Sequence, residues 1–163
     1  MNTQHSELIL RDFQPGDEAA FRRLNEAWIT RHFALEPKDE YTLAHPQESI
    51  LDHGGRIFLA VLNGQPVGCC ALIAIAPREF EVGKMTVDES ARGAGIGRRM
   101  LEHSIAEAKN SGATRLYLET NHTLAPAIHL YEAMGFRHLH PASVVPSPYA
   151  RADVYMELPL TVL

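Results

Sequence analysis

Residues Val82 to Ala108 read Val-Gly-Lys-Met-Thr-Val-Asp-Glu-Ser-Ala-Arg-Gly-Ala-Gly-Ile-Gly-Arg-Arg-Met-Leu-Glu-His-Ser-Ile-Ala-Glu-Ala. The run passes from a strand through a glycine-rich loop into an amphipathic helix. Gly93, Gly95 and Gly97 alternate with Ala94 and Ile96 just before the helical pattern begins. Glycine admits positive φ and lets a ligand come close to the main chain. The first turn of the following helix carries unpaired N–H groups and the positive end of the helix dipole, a seat for an anion such as a phosphate. Arg92 at the loop mouth and Arg98 and Arg99 at the helix start add positive charge. Ile96, Met100, Leu101, Ile105 and Ala108 share one helical face, with Arg99, Glu102 and Lys109 elsewhere, and Gly112 is placed to end the helix.

Glycines also precede helices that bind no anion. A tight βα turn needs no ligand at all. A dinucleotide site wants Gly-x-Gly-x-x-Gly; Gly93 and Gly95 fit, but Arg98 stands where the third glycine would allow close helix–strand packing. Glu119 lies at a suitable distance for a ribose contact, which keeps that reading in play. A nucleotide-triphosphate loop is excluded more firmly, because no Gly-Lys-Ser/Thr follows.

The remaining pattern is Arg92-x-x-Gly95-x-Gly97, preceded by the apolar strand end Met85-Thr86-Val87. It resembles the acetyl-CoA loop of the GNAT N-acetyltransferase superfamily, Gln/Arg-x-x-Gly-x-Gly/Ala. Downstream, Ala127-Ile128-His129-Leu130-Tyr131-Glu132-Ala133-Met134-Gly135-Phe136 resembles that family's Ala-Ile-x-Leu-Tyr-x-x-x-Gly-Phe segment. The likeness covers the last half of the chain by motif and the first half only by element order.

At 163 residues the chain is long enough for a sizeable core and reads as a single domain over 1–163. Its 45% apolar and 21% charged residues are those of a globular protein in water. A net charge of −5 with no basic stripe argues against nucleic acid as a partner. No apolar run approaches a membrane span, and Met1-Asn2-Thr3-Gln4-His5 does not read as a signal peptide. Cys69 and Cys70 are adjacent in a strand-like run, so their side chains point to opposite faces. They read as buried thiols in a reducing cytoplasm rather than a disulfide.

In chain order, Leu8 to Phe13 reads as a strand, and Asp17 is placed to cap a helix to about Phe33 that buries Phe21, Leu24 and Trp28. Glu36 to Asp52 reads as two short helical turns interrupted by Pro37 and Pro46. Arg56–Leu62 and Pro66–Ala76 are strands joined by the hairpin signal Asn63-Gly64. Pro77-Arg78 reverses the chain into a fourth strand, Glu79 to Val87. Thr114–Thr120, Phe136–His140 and Ala152–Leu158 are further strands, with a helix over Leu124–Met134 capped by Gly135 and a proline-rich loop, Pro141–Pro148. The order predicts an α/β fold, a mixed sheet of about seven strands with helices on both faces. The resemblance adds that strands four and five splay apart.

What the resemblance implies about the site is specific. The peptide-like pantetheine arm of acetyl-CoA lies between strands four and five, pairing with Met85, Thr86 and Val87 as another strand would. A backbone N–H near Met85 faces the thioester oxygen. The diphosphate falls on the main chain of Arg92, Gly93, Ala94, Gly95, Ile96, Gly97 and Arg98. Tyr131 takes the place of the acid that protonates the leaving thiolate; its alternative is an aromatic packed beside Leu130. Glu81 takes that of the general base; period-two alternation puts it on the face of Val87, six residues on, and its alternative is an exposed charge beside Glu79. Glu119, Tyr117 and His122 are further candidates for the base. Where the family often has an asparagine, this chain has Leu124; Asn121, three residues earlier, is the candidate to replace it.

The implied activity is transfer of an acetyl group from acetyl-CoA, as co-substrate, to a primary amine on a small molecule, an amino acid or a protein, by direct attack in a ternary complex. A non-catalytic acyl-CoA sensor is the alternative, and a nicotinamide-dependent reductase a more distant one. Trp28, Phe33, Tyr41 and Tyr149 are candidates to line the acceptor pocket, although core packing explains Trp28 equally well; Glu36, Asp39 and Glu40 suit a cationic amine or, more commonly for such a run, a solvated loop face. His138 and His140 share a strand face but lack a third ligand, so no metal is expected. Dimers are common in the family, so a homodimer is compatible with the resemblance.

Overall fold

The structure, a computed structural model, describes residues 7 to 160. Seven strands form one sheet in the order β1-β2-β3-β4-β5-β7-β6. They are β1 (Leu8–Asp12), β2 (Arg56–Leu62), β3 (Gln65–Ala76), β4 (Glu79–Val87), β5 (Arg115–Thr120), β6 (Arg137–Leu139) and β7 (Val154–Pro159). The helices are α1 (Glu18–His32), α2 (Pro37–Ala44), α3 (Pro46–Ser49), α4 (Ile96–Asn110) and α5 (Ala125–Ala133). Among the described residues only β4 and β5 run parallel, joined by α4 as a crossover; the other pairings are antiparallel.

Helices cover both faces. Phe21, Leu24 and Ile29 of α1 and Leu43 of α2 pack on Leu59, Cys69 and Ala71. Leu101, Ile105 and Ala108 of α4 pack on the opposite face with Phe58, Cys70, Leu72, Leu116 and Met156, joined by Leu130 and Tyr131 of α5. Cys69 and Cys70 thus lie in different cores, and both are buried free thiols.

Local chemistry explains most boundaries. Asn63 (φ 51°) and Gly64 (φ 81°) both take positive φ, as a type I′ hairpin requires. Helix α4 ends in a Schellman motif, with the Gly112 amide on the Lys109 carbonyl and the Ala113 amide on the Ala108 carbonyl. Helix α5 ends the same way at Gly135 (φ 99°), the Phe136 amide returning to the Tyr131 carbonyl at 3.0 Å. That geometry lays buried Phe136 edge-on to Tyr131, ring centroids 6.0 Å apart.

Three expectations need correction. Asp17 precedes α1 without a side-chain cap, because its carboxylate is taken by Arg11 (2.7 Å) and the Gln14 amide (2.7 Å). Pro37 and Pro46 open α2 and α3 at the first turn, where proline loses no helical hydrogen bond, rather than interrupting them. His140 lies beyond β6 and accepts the Ala142 amide, so it does not share a strand face with His138.

The largest departure from regularity sits in β4. Cys69 pairs with Thr86 and Ala71 with Gly83, so one residue of β3 faces two of β4, Lys84 and Met85. This is a β-bulge, and Lys84 takes φ 51° to make it. Beyond the last β4–β5 pair, Glu81 with Tyr117, the two strands separate.

Candidate active site

The separation leaves the β5-facing edge of β4 unpaired from Val82 to Val87, while β5 continues against β7 as far as Thr120. A cavity of about 1030 Å³ fills the gap and extends to the glycine loop at one end and to α1 and α2 at the other. Among the sequence candidates, Glu81, Met85, Thr86, Val87, Arg92, Gly93, Gly95, Ile96, Gly97, Asn121 and Tyr131 line it, whereas Ala94 and Arg98 do not. The Arg98 side chain turns along α4 to Glu102 at 3.0 Å. A second, more open hollow of about 620 Å³ beside the β3–β4 turn contains none of them.

At the loop end, Gly93 (φ 84°) and Gly95 (φ 74°) bend the chain into α4. The amides of Gly93 to Arg98 donate to no group among the described residues; the first helical bond is Arg99 N–H to the Gly95 carbonyl. A Cβ on Gly97 would meet nothing closer than Val87 at 3.7 Å. Packing alone therefore leaves room for a side chain there, and the missing one widens the cavity. Six free amides, the helix dipole and the Arg92 guanidinium on the cavity wall make a strong anion seat.

At the centre, the half-buried Tyr131 hydroxyl has no hydrogen-bond partner among the described residues, yet it is not sealed off from solvent. Burial, with Cys70 nearby, raises its pKa and keeps the phenol protonated. Glu81 lies across the cavity. Burial pushes its carboxyl up to about 7, and the adjacent Glu119 adds to the shift. Glu119 accepts hydrogen bonds from Tyr117 (3.1 Å) and Ser147 (2.9 Å).

The bulge overturns the alternation expected between Glu81 and Val87. Glu81, Gly83 and Thr86 pair with Ile73, Ala71 and Cys69 on the α1 face, whereas Val87 belongs to the α4 face with Ile96 and Met100. Glu81 and Val87 therefore face opposite ways, and Glu81 reaches the cavity because β4 and β5 part beside it. Asn121 is committed locally: its carbonyl takes the Thr123 amide and hydroxyl, and its amide donates to the Arg151 carbonyl at 2.8 Å. His122 pairs with Asp153 and is absent from the cavity wall.

Trp28, Phe33, Tyr41 and Tyr149 all line the cavity. Trp28 is only half-buried, stacked with His32 and Phe33, so it is wall more than core. The expected acidic patch does not exist as such. Asp39 is 0% exposed and held by Arg151 (2.7 and 2.6 Å) and Lys84 (3.1 Å). Burial would raise the Asp39 carboxyl, but Arg151, the Glu36 amide and Lys84 outweigh it and hold it at about 2. Glu36 is likewise taken by Arg151 and the Ala150 amide.

This cluster of Asp39, Lys84 and Arg151, with Tyr149 stacked against both cations, is the part of the site that sequence reasoning missed. One signal was available: Lys84 is the lone cation in Phe80-Glu81-Val82-Gly83-Lys84-Met85-Thr86-Val87. Among the described residues, no three His, Cys, Asp or Glu side chains converge as a metal site needs.

Comparison with known proteins agrees with this geometry. An IAA acetyltransferase of Azospirillum brasilense is 37% identical over 107 residues, covering 64% of this chain and 68% of that one. The [ribosomal protein bS18]-alanine N-acetyltransferase of Escherichia coli strain K12 is 31% identical over 106 residues, covering 64% of this chain and 71% of that one. A GNAT-family acetyltransferase structure from Staphylococcus aureus Mu50 shares the fold at TM-score 0.86 and 20% identity, covering 95% of this chain and all (100%) of that one. The Salmonella typhimurium protein yncA, solved with its cofactor acetyl-CoA, aligns at TM-score 0.75 and 22% identity, covering 96% of this chain and 95% of that one. The model of the acetyltransferase (GNAT) family matches residues 19–136, most of the chain and both glycine-bearing segments, and the protein belongs to that family.

Proposed function

We propose that this protein transfers the acetyl group of acetyl-CoA to a primary amine. The observation that carries the reading is convergence: an unpaired strand edge, the free amides of Gly93, Gly95, Ile96 and Gly97 at a helix start, a carboxyl and a free phenol all border one cavity. Acetyl-CoA supplies an activated thioester when bound. The β4 edge from Met85 to Val87 would hold the pantetheine amides, and the main chain from Arg92 to Arg98 the diphosphate. The Met85 N–H would donate to the thioester oxygen as negative charge develops there.

Glu81 takes the proton of the incoming ammonium, directly or through one water, leaving a nucleophilic amine. A carboxyl near pH 7 is well matched to that task. Tyr131 returns a proton to the leaving sulphur; its hydroxyl has no competing partner among the described residues. Asn121 then acts as a brace for the turn after β5, joining it to the chain before β7.

The test is a pair of measurements on one preparation: acetyl-CoA binding by calorimetry, and thiol release across an amine panel. Binding together with amine-dependent thiol release is the expected result. Binding without release for any amine would make the protein an acyl-CoA sensor. Absence of binding would remove the cavity from the account.

A further inference from the structure

The acceptor end of the cavity has two poles, and their signs restrict what can enter. One pole is acidic. Glu81 is the last residue of β4 paired with β5, and Glu119 lies two residues beyond its partner Tyr117 on β5, both at the point where the strands part. The other pole is basic. The Lys84 ammonium, its side chain 8% exposed, bonds Asp39 (3.1 Å) and the Tyr149 hydroxyl (3.3 Å), which leaves one of its three N–H groups unassigned on the cavity wall. Lys38 sits over the same tyrosine ring at 5.5 Å and has no carboxylate partner among the described residues. The same wall also carries the aromatic side chains Trp28, Phe33 and Tyr41.

An elongated polycation fits this arrangement poorly. Asp39 and Glu36, the carboxylates nearest the basic pole, are saturated by Arg151 and Lys84. A second ammonium beside the basic pole would meet Lys84, Lys38 and Arg151; the remaining carboxylate on the wall, Glu48, is exposed to solvent at the α3 end. A simple amine would satisfy the acidic pole and leave Lys38 and the spare Lys84 N–H unanswered.

We infer that the acceptor is a free α-amino acid with an aromatic or long apolar side chain. Its ammonium meets Glu81 and Glu119, its carboxylate Lys84 and Lys38, and its side chain the aromatic wall. This rests on the acetyl-transfer reading and narrows it. One ammonium proton passes to Glu81, the nitrogen–acetyl carbon bond forms, the carbon–sulphur bond breaks, the sulphur leaves with the Tyr131 proton, and the second nitrogen proton, shed as the amide forms, restores the Tyr131 phenol. The acceptor keeps its carboxylate, so the product is an N-acetyl amino acid.

The experiment compares kcat/KM for L-phenylalanine and L-methionine with phenethylamine, phenylalanine amide and spermidine, reading thiol release and product mass. Acids should exceed their carboxylate-free counterparts by about tenfold or more, the scale of a charge-assisted hydrogen bond. Lys84→Met should erase most of that preference through KM. Lys38→Met, at an exposed position, gives an independent readout should the buried change fail to fold, and should weaken the preference. Phenethylamine or spermidine turning over as well as L-phenylalanine would overturn the inference while leaving acetyl transfer standing. A preference retained in both folded lysine variants would overturn the assignment of the basic pole. Acetyl-CoA binding with no thiol release for any amine would remove both readings together.

Discussion

Glu81 owes its chemistry to two neighbours that no local pattern reveals: the apolar wall that desolvates it and Glu119 on the adjacent strand. A carboxyl raised to about 7 is largely protonated in mild acid and works as a base only when ionised, so kcat/KM should climb as pH rises through about 7. Glu119→Gln removes the like charge and should move that limb to lower pH; Glu81→Gln should abolish it. A limb that stays in place in both variants would assign the titration elsewhere. Tyr131→Phe should lower turnover at least about tenfold while acetyl-CoA affinity stays unchanged, as expected of an acid that acts only on the leaving group. Equal turnover in the two proteins would remove the phenol from the mechanism. That both residues border the cavity could be anticipated because each sits in a stretch with a distinctive neighbourhood. The reason Glu81 faces the cavity could not, since strict alternation holds only in a strand without a bulge.

Helix ends and turns could be read from the chain because their causes are local. Gly112 and Gly135 end helices by taking a conformation that side chains resist, and Asn63-Gly64 closes a hairpin for the same reason. The Lys84–Met85 bulge depends on register against β3, which a single stretch does not encode. The Pro37 and Pro46 reading failed on position: proline ends a helix from within but starts one at its first turn. At this scale the decisive element is the start of α4. Gly95→Ala forces a left-handed backbone at φ 74° on a residue with a Cβ, at a cost of about 1–2 kcal/mol unless the loop moves. Calorimetry should show acetyl-CoA binding weakened about tenfold where the loop moves to relieve the strain, and a melting temperature lower by roughly 2–8 °C where it does not. Full affinity in that variant at an unaltered melting temperature would mean the loop shape does not hold the diphosphate.

Across the whole molecule, the Asp39–Lys84–Arg151 cluster ties α2, the β4 bulge and the chain before β7 into one wall of the site. Sequence separations of 45 and 112 residues put it beyond any pattern reading, and the acidic run Glu36 to Glu40 looked instead like a binding patch. Asp39→Asn leaves two buried cations short of a partner and should cost about 3 kcal/mol, or roughly 6–12 °C in melting temperature. The sign with pH follows from a folded pKa of about 2 against the ordinary 3.8: the contribution is full above about pH 4 and fades as pH falls towards 2. Melting curves of wild type and variant should therefore converge below pH 4. A constant gap down to pH 2 would mean that the Asp39 charge is not what stabilises the cluster.

Amide hydrogen exchange with and without acetyl-CoA tests the arrangement most directly. Protection should rise at those amides of Met85 to Val87 that face the gap towards β5 and from Gly93 to Arg98, the strand edge and helix start left unpaired among the described residues of the free protein. Saturating acetyl-CoA that leaves those amides exchanging as before would contradict a cofactor seated between the parted strands.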